Sequence, residues 1–145
     1  MFESATEAPR EPASECWLVA VDGSVHSMRA LAAACRLASE RSALTIDLVN
    51  VQPWMSKEAA QLELVQRGWT STATARAWLE KQGFGWRLHV WMGEPAARIV
   101  EQAELLSSVG IAIGARGQSA TEGLLLGSIV QQVLQRTRGA VLVVR

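Results

Sequence analysis

VGIAIGARGQSATEGLLLGSIV, residues 109–130, is the stretch on which the fold turns. It opens with an apolar run over 109–113 and closes with Ser128-Ile129-Val130, the start of an amphipathic run that reaches Arg136. Between them stand Gly114, Gly117, Gly123 and Gly127. The pattern predicts a buried strand, a glycine-rich loop and the first turn of a helix. Free backbone N–H groups and the helix dipole make such a junction suited to an anion, and a phosphate is the natural guest. Two better-known loops are excluded. Leu126-Gly127-Ser128 lacks the Lys of a Walker A loop, and Gly114-Ala115-Arg116-Gly117 has the wrong spacing for the dinucleotide fingerprint.

Outward from that stretch, strands and helices alternate. Residues 16–21, CWLVAV, are apolar without alternation and end at Asp22-Gly23-Ser24, which predicts a central strand covered on both faces. Met28, Leu31, Ala34, Cys35 and Ala38 follow with helical spacing, with Ser24 or Ser27 as N-cap. Residues 44–51, LTIDLVNV, form a second strand that Pro53 stops. Residues 57–82 read as one long helical region with apolar positions at Leu62, Val65, Trp69 and Ala73, weakened and bent at Gly68. Residues 86–92, WRLHVWM, alternate as an outlying strand does. Pro95 opens a helix that carries Ala96, Ile99, Val100, Ala103 and Leu106 to the core. Ile129, Val130, Val133 and Leu134 mark the last helix, and Ala140–Val144 the last strand.

Strand and helix thus repeat four times before a final strand, which predicts an α/β fold: an open five-stranded parallel sheet with helices on both faces. The two least alternating strands belong in the middle, which the order 3-2-1-4-5 satisfies. That order sets a topological switch between strands one and four, where open α/β sheets bind ligands at the carboxyl ends. Asp22-Gly23-Ser24 and the glycine loop both emerge there.

Composition narrows the function. The chain has 145 residues, enough for one domain with a proper core, with 49% hydrophobic and 19% charged residues. Fourteen basic and fourteen acidic residues balance, which argues against nucleic acid or an anionic membrane as the main partner. Residues 1–15 hold four Glu, one Arg and two Pro without an apolar run; they read as a disordered leader ahead of a 16–145 domain and as neither signal peptide nor membrane span. Cys16 and Cys35 form no metal or redox motif and read as small buried hydrophobes in a reducing cytoplasm.

The spacing Gly114-x2-Gly117-x9-Gly127-Ser128 resembles the ATP-binding signature of the universal stress protein family. Residues 19–24, VAVDGS, resemble that family's first strand, Gly93-Glu94-Pro95 its turn before the third helix, and residues 140–145 its terminal PVLVVR. The resemblance covers nearly all of 16–145. It implies a Rossmann-like fold of the adenine nucleotide alpha hydrolase-like type and ATP as ligand, with Mg²⁺ carried by the phosphates. Ala20 and Asp22 would meet adenine or ribose, and Val51 the adenine through its backbone. Ile113, Gly114, Arg116 and Gly117 would line the ribose and first phosphate, while Gly127, Ser128, Ile129 and Val130 would hold the phosphate chain. Three positions depart from the family pattern: Val109 replaces an Asp, Gly139-Ala140 replaces a residue-Pro pair, and Val130 lacks a hydroxyl many binders have.

No Ser/His/Asp order, paired acids or metal-ligand spacing accompanies the loop, although Glu122 and Arg116 lie within it and His26 stands near enough to be considered for the phosphates. The reading is therefore a cytoplasmic nucleotide-dependent regulator in the stress response, acting on a partner protein, with slow hydrolysis as its limit. A nucleotide-free interaction module of the same fold is the alternative. A nucleotide-activating ligase would need SGGxDS or HxGH, and neither occurs. Trp54, three residues beyond Val51, is a candidate for the pocket rim. The wholly apolar Ala140–Val144 falls at a sheet edge without Lys, Pro or bulge, which predicts a homodimer through that strand, as in many members of the family.

Overall fold

The computed structural model describes residues 4–6, 16–40, 45–117 and 125–145. The strands are β1 (Ser4–Thr6), β2 (Trp17–Ala20), β3 (Thr45–Gln52), β4 (Gly85–Met92), β5 (Gly110–Gly114) and β6 (Ala140–Val144). The helices are α1 (Val25–Glu40), α2 (Lys57–Ser71), α3 (Ala73–Gln82), α4 (Pro95–Leu106) and α5 (Ser128–Arg136). The five strands from β2 onward are parallel and lie in the order β4-β3-β2-β5-β6, the expected 3-2-1-4-5.

One strand was not expected. Ser4–Thr6 pairs antiparallel with β4, Ala5 opposite Val90, so the sheet has six strands and residues 4–6 are no disordered leader. Such a pairing is made by backbone groups at an unprotected edge, and hydropathy carries no signal for it. The rest of the expected leader lies outside the described residues.

Helices α1, α2 and α3 cover one face of the sheet, and α4 with α5 covers the other. Leu31, Ile46, Leu48, Leu88 and Val90 pack on the first side; Leu18, Val49, Ile99, Ile111 and Val133 pack on the second. Cys35 is buried in the first core, where burial pushes its thiol up to about 12, so it stays protonated and packs as an apolar group. Among the described residues no helix is long and apolar enough to cross a membrane.

The region 57–82 is two helices, and the break is at Thr72 rather than at Gly68. The Thr72 hydroxyl donates to the Gly68 carbonyl at 2.8 Å and accepts from Arg76 Nε at 3.2 Å, tying the joint. Gly68 serves close approach: a Cβ there would stand 2.4 Å from Val90 Cγ2. The buried stripe of α2 is Ala60, Leu64 and Gly68, and the small Ala60 and Gly68 let the helix sit down on β3 and β4. Leu62, Val65 and Trp69 face outward.

The alternation of β4 is real, but its polar face is not exposed. Arg87 and His89 are buried against Asp47 of β3, with Arg87 Nε and Nη2 at 2.7 and 2.8 Å from the two carboxylate oxygens and His89 Nε2 at 2.9 Å. Beside them Trp91 donates its indole N–H to Gln102 of α4 at 2.6 Å. The strand lies one place in from the edge, covered by helices on both faces.

Candidate functional site

At the carboxyl ends of β2, β3 and β5 the structure opens a cavity of about 570 Å³. Its first wall begins where β2 runs out. Asp22 accepts the Ser24 N–H at Oδ1 (2.9 Å), closing a tight turn through Gly23, whose φ of 84° favours glycine. Ser24 then caps α1: its hydroxyl accepts the Ser27 N–H at 3.1 Å, while the Ser27 hydroxyl donates to the Ser24 carbonyl at 2.9 Å. Of the two expected caps, Ser24 is the one used. The wall continues along the end of β3 through Val49, Asn50, Val51 and Gln52. Asn50 Nδ2 donates to the Val21 carbonyl at 2.8 Å.

The second wall is built from backbone. Gly114 ends β5 directly over the first turn of α1, and a Cβ there would lie 2.6 Å from the His26 carbonyl carbon. The chain is held on course by two bonds: the Ala115 N–H donates to the Val144 carbonyl at 2.6 Å, and the Gly127 N–H to the Ala115 carbonyl at 2.7 Å. Gly117 comes so close to Asp22 that a Cβ would stand 2.8 Å from Oδ2. Gly127 caps α5 with ordinary dihedrals, φ −67° and ψ 160°, and supplies no side-chain cap. Such a helix start leaves the N–H groups of Ser128, Ile129 and Val130 without intrahelical acceptors. Among the described residues, a Cβ at Gly127 would meet nothing closer than 3.5 Å.

All eleven residues singled out in the sequence line this one cavity: Ala20, Asp22, Val51, Ile113, Gly114, Arg116, Gly117, Gly127, Ser128, Ile129 and Val130. Among the described residues, Arg116 is the only cationic side chain in the lining and Asp22 the only anionic one. The dipole of α5 adds positive potential on the Arg116 side. The site thus has a positive end rich in free donors and, across β2, a wall of neutral polar and apolar groups. Such an arrangement accommodates an elongated molecule with an anionic end and a planar, hydrogen-bonding end.

Other residues fall elsewhere. His26 does not reach the cavity; its backbone underlies Gly114 and its Nδ1 is buried with no hydrogen-bond partner among the described residues. Trp54 is not part of the lining either. It stands 61% exposed outside Pro53, its ring 5.6 Å from the Arg98 guanidinium, which also faces Trp91 at 5.0 Å. Glu122 and Gly123 lie outside the described residues. Among the described residues no three His, Cys, Asp or Glu side chains are grouped to hold a metal ion. Sequence reasoning missed Asn50, Gln52, Ser71 and Ser27 in the lining. For Asn50 and Gln52 the available signal was their polarity at the carboxyl end of the strand.

The model of the universal stress protein family matches residues 17–145. A universal stress protein of Mycobacterium tuberculosis is 30% identical over 138 residues, a match covering 88% of this chain and 44% of the relative. The chain therefore spans under half the length of that relative. Among solved structures, a universal stress protein from Archaeoglobus fulgidus superposes with a TM-score of 0.74 at 24% identity, covering 91% of this chain and 99% of the other. Another, crystallised in complex with cAMP, superposes with a TM-score of 0.70 at 25% identity, covering 92% of this chain and 98% of the other.

Proposed function

The chain belongs to the universal stress protein family, and from that premise we propose that its cavity binds one adenine nucleotide per protomer, ATP with Mg²⁺ carried on its phosphates. The observation that supports this most is the start of α5, without a side-chain cap among the described residues, beside Arg116 and Gly117 in the cavity lining. Three converging amides, one guanidinium and a glycine-lined approach suit a phosphate chain. Asp22, at the middle strand, suits ribose hydroxyls, and the Val51 backbone at the end of β3 suits the base. The cAMP complex of a relative of the same fold is consistent with an adenine nucleotide.

Binding, not turnover, is the proposed activity. Phosphoryl transfer wants a positioned base, a metal carboxylate and concentrated positive charge, and among the described residues the lining offers Asp22 on the ribose side and Arg116. The protein acts in the cytoplasm as a regulator in the stress response, its nucleotide state altering what it presents to a partner protein. It works as a homodimer through β6. Val141, Leu142, Val143 and Val144 are half-exposed there, and no strand pairs with the outer edge of β6 among the described residues.

Native mass spectrometry of gently purified protein, incubated with MgATP, tests both statements. A dimer carrying two nucleotides is expected. A bare monomer at micromolar concentration and saturating ATP contradicts the reading and favours a nucleotide-free module.

A further inference from the structure

Two amide side chains at the end of β3 have coupled orientations. The Val21 carbonyl can only accept, so the Asn50 atom 2.8 Å from it must be Nδ2, and Oδ1 points the other way. That oxygen can also only accept, so the Gln52 atom 2.7 Å from it must be Nε2. The same nitrogen lies 3.4 Å from Ser71 Oγ. One fixed backbone carbonyl therefore sets the flip of both amides. Gln52 Oε1 is left over, an acceptor with no hydrogen bond among the described residues, on a half-buried side chain in the cavity wall.

The sheet order says which part of a guest meets it. Along the crevice the carboxyl ends run β3, β2, β5. Neighbouring strands lie about 4.8 Å apart, so Gln52 stands roughly 10 Å across the sheet from the phosphate-binding end. That is the far side of a ribose placed at Asp22. We infer that Gln52 is the specificity-determining residue of the base subsite, its Oε1 accepting from an exocyclic amino group of the base and opposing a carbonyl at the same place. A 6-aminopurine satisfies it; a 6-oxopurine sets two acceptors against each other. The relay through Asn50 makes this a fixed preference, because Gln52 cannot turn its amide over without placing two oxygens face to face.

This inference rests on the nucleotide reading above, and the experiment separates the two. MgATP and MgITP, which differ at the purine 6-position, are titrated calorimetrically into the parent and into Gln52→Met, which keeps length but lacks the acceptor. The parent should prefer ATP by about tenfold, the worth of one hydrogen bond gained or opposed. In Gln52→Met the ratio should fall to near one, with ITP affinity held or improved. Because the readout is a ratio within one preparation, a lower folded fraction does not imitate the effect. An unchanged ratio in Gln52→Met, or a parent that binds both equally, overturns the role of Gln52 and leaves nucleotide binding standing. A parent that binds neither overturns both.

Discussion

Along the β2–β3 wall of the crevice the polar groups face one another: Asn50 with Val21 and Gln52, Ser24 with Asp22, Ser27 with Ser24. Along the β5–α5 wall, two backbone bonds fix the path, and among the described residues no side chain caps the first turn of the helix. In the first wall the hydrogen bonds fix the orientations of the side chains, which on the proposed reading makes it the discriminating one. The second is indifferent to the identity of the guest but strongly committed to its charge. A site divided in this way separates which molecule is held from how tightly it is held.

Gly127→Val strikes the second wall alone. The dihedrals of Gly127 suit any residue and its surroundings leave room for a Cβ, so the fold and its melting temperature should be unchanged. A side chain there obstructs approach to the helix amides. Losing two bonds to a charged phosphate, about 3 kcal/mol together, predicts about a hundredfold weaker ATP binding by calorimetry. Unchanged affinity would place the phosphates elsewhere.

Asp22 belongs to both walls, and two variants divide its roles. Asp22→Asn keeps an oxygen for the Ser24 N–H, whereas Asp22→Ala removes it. If the carboxylate serves the ligand, both weaken binding, the Ala variant by about 1–3 kcal/mol, and Asp22→Asn unfolds in denaturant like the parent. If both bind ATP normally and only Asp22→Ala loses stability, the residue is a turn cap and the walls do not meet there.

The smallest effect is expected from Arg116→Gln. Its guanidinium is half-buried, so screening reduces its contribution to about 1 kcal/mol, roughly a fivefold loss of affinity that shrinks as salt is raised from 50 to 500 mM. A loss that salt leaves unaltered would mean that Arg116 shapes the loop and does not supply charge.

What the sequence disclosed follows the same division. The β5–α5 wall depends on glycines, a helix start and one strand, all local, and Gly114, Gly117, Gly127 and Ser128 signal them within a single stretch. Asp22-Gly23-Ser24 is equally local. The amide relay needs Asn50 of β3 to meet Val21 beyond β2, and Gln52 to meet Asn50 and Ser71 at the end of α2, which only the packed sheet provides. Trp54 misled because nearness in sequence to Val51 says nothing about which side of Pro53 the ring takes; it lies against Gly93 and Arg98. The stripe Leu62, Val65, Trp69 misled because side-chain size was weighed above the need of α2 to approach Val90 closely. The sheet order was accessible because burial of both faces of β2 and β5 shows as unbroken apolar runs.

The ionic cluster in the sheet has a consequence for folding. Asp47 pairs with Arg87 in the β3–β4 ladder and also holds His89, two places further along the same face. Many of the surrounding residues are interchangeable aliphatics, for which a ladder shifted by two positions would keep the same faces buried. Such a shift sets Asp47 opposite Gly85 or His89 and parts it from Arg87 as its direct neighbour. The aligned ladder is the one in which this carboxylate takes both guanidinium bonds of Arg87 and the imidazole of His89 together, and Gln52 is the last residue of that ladder.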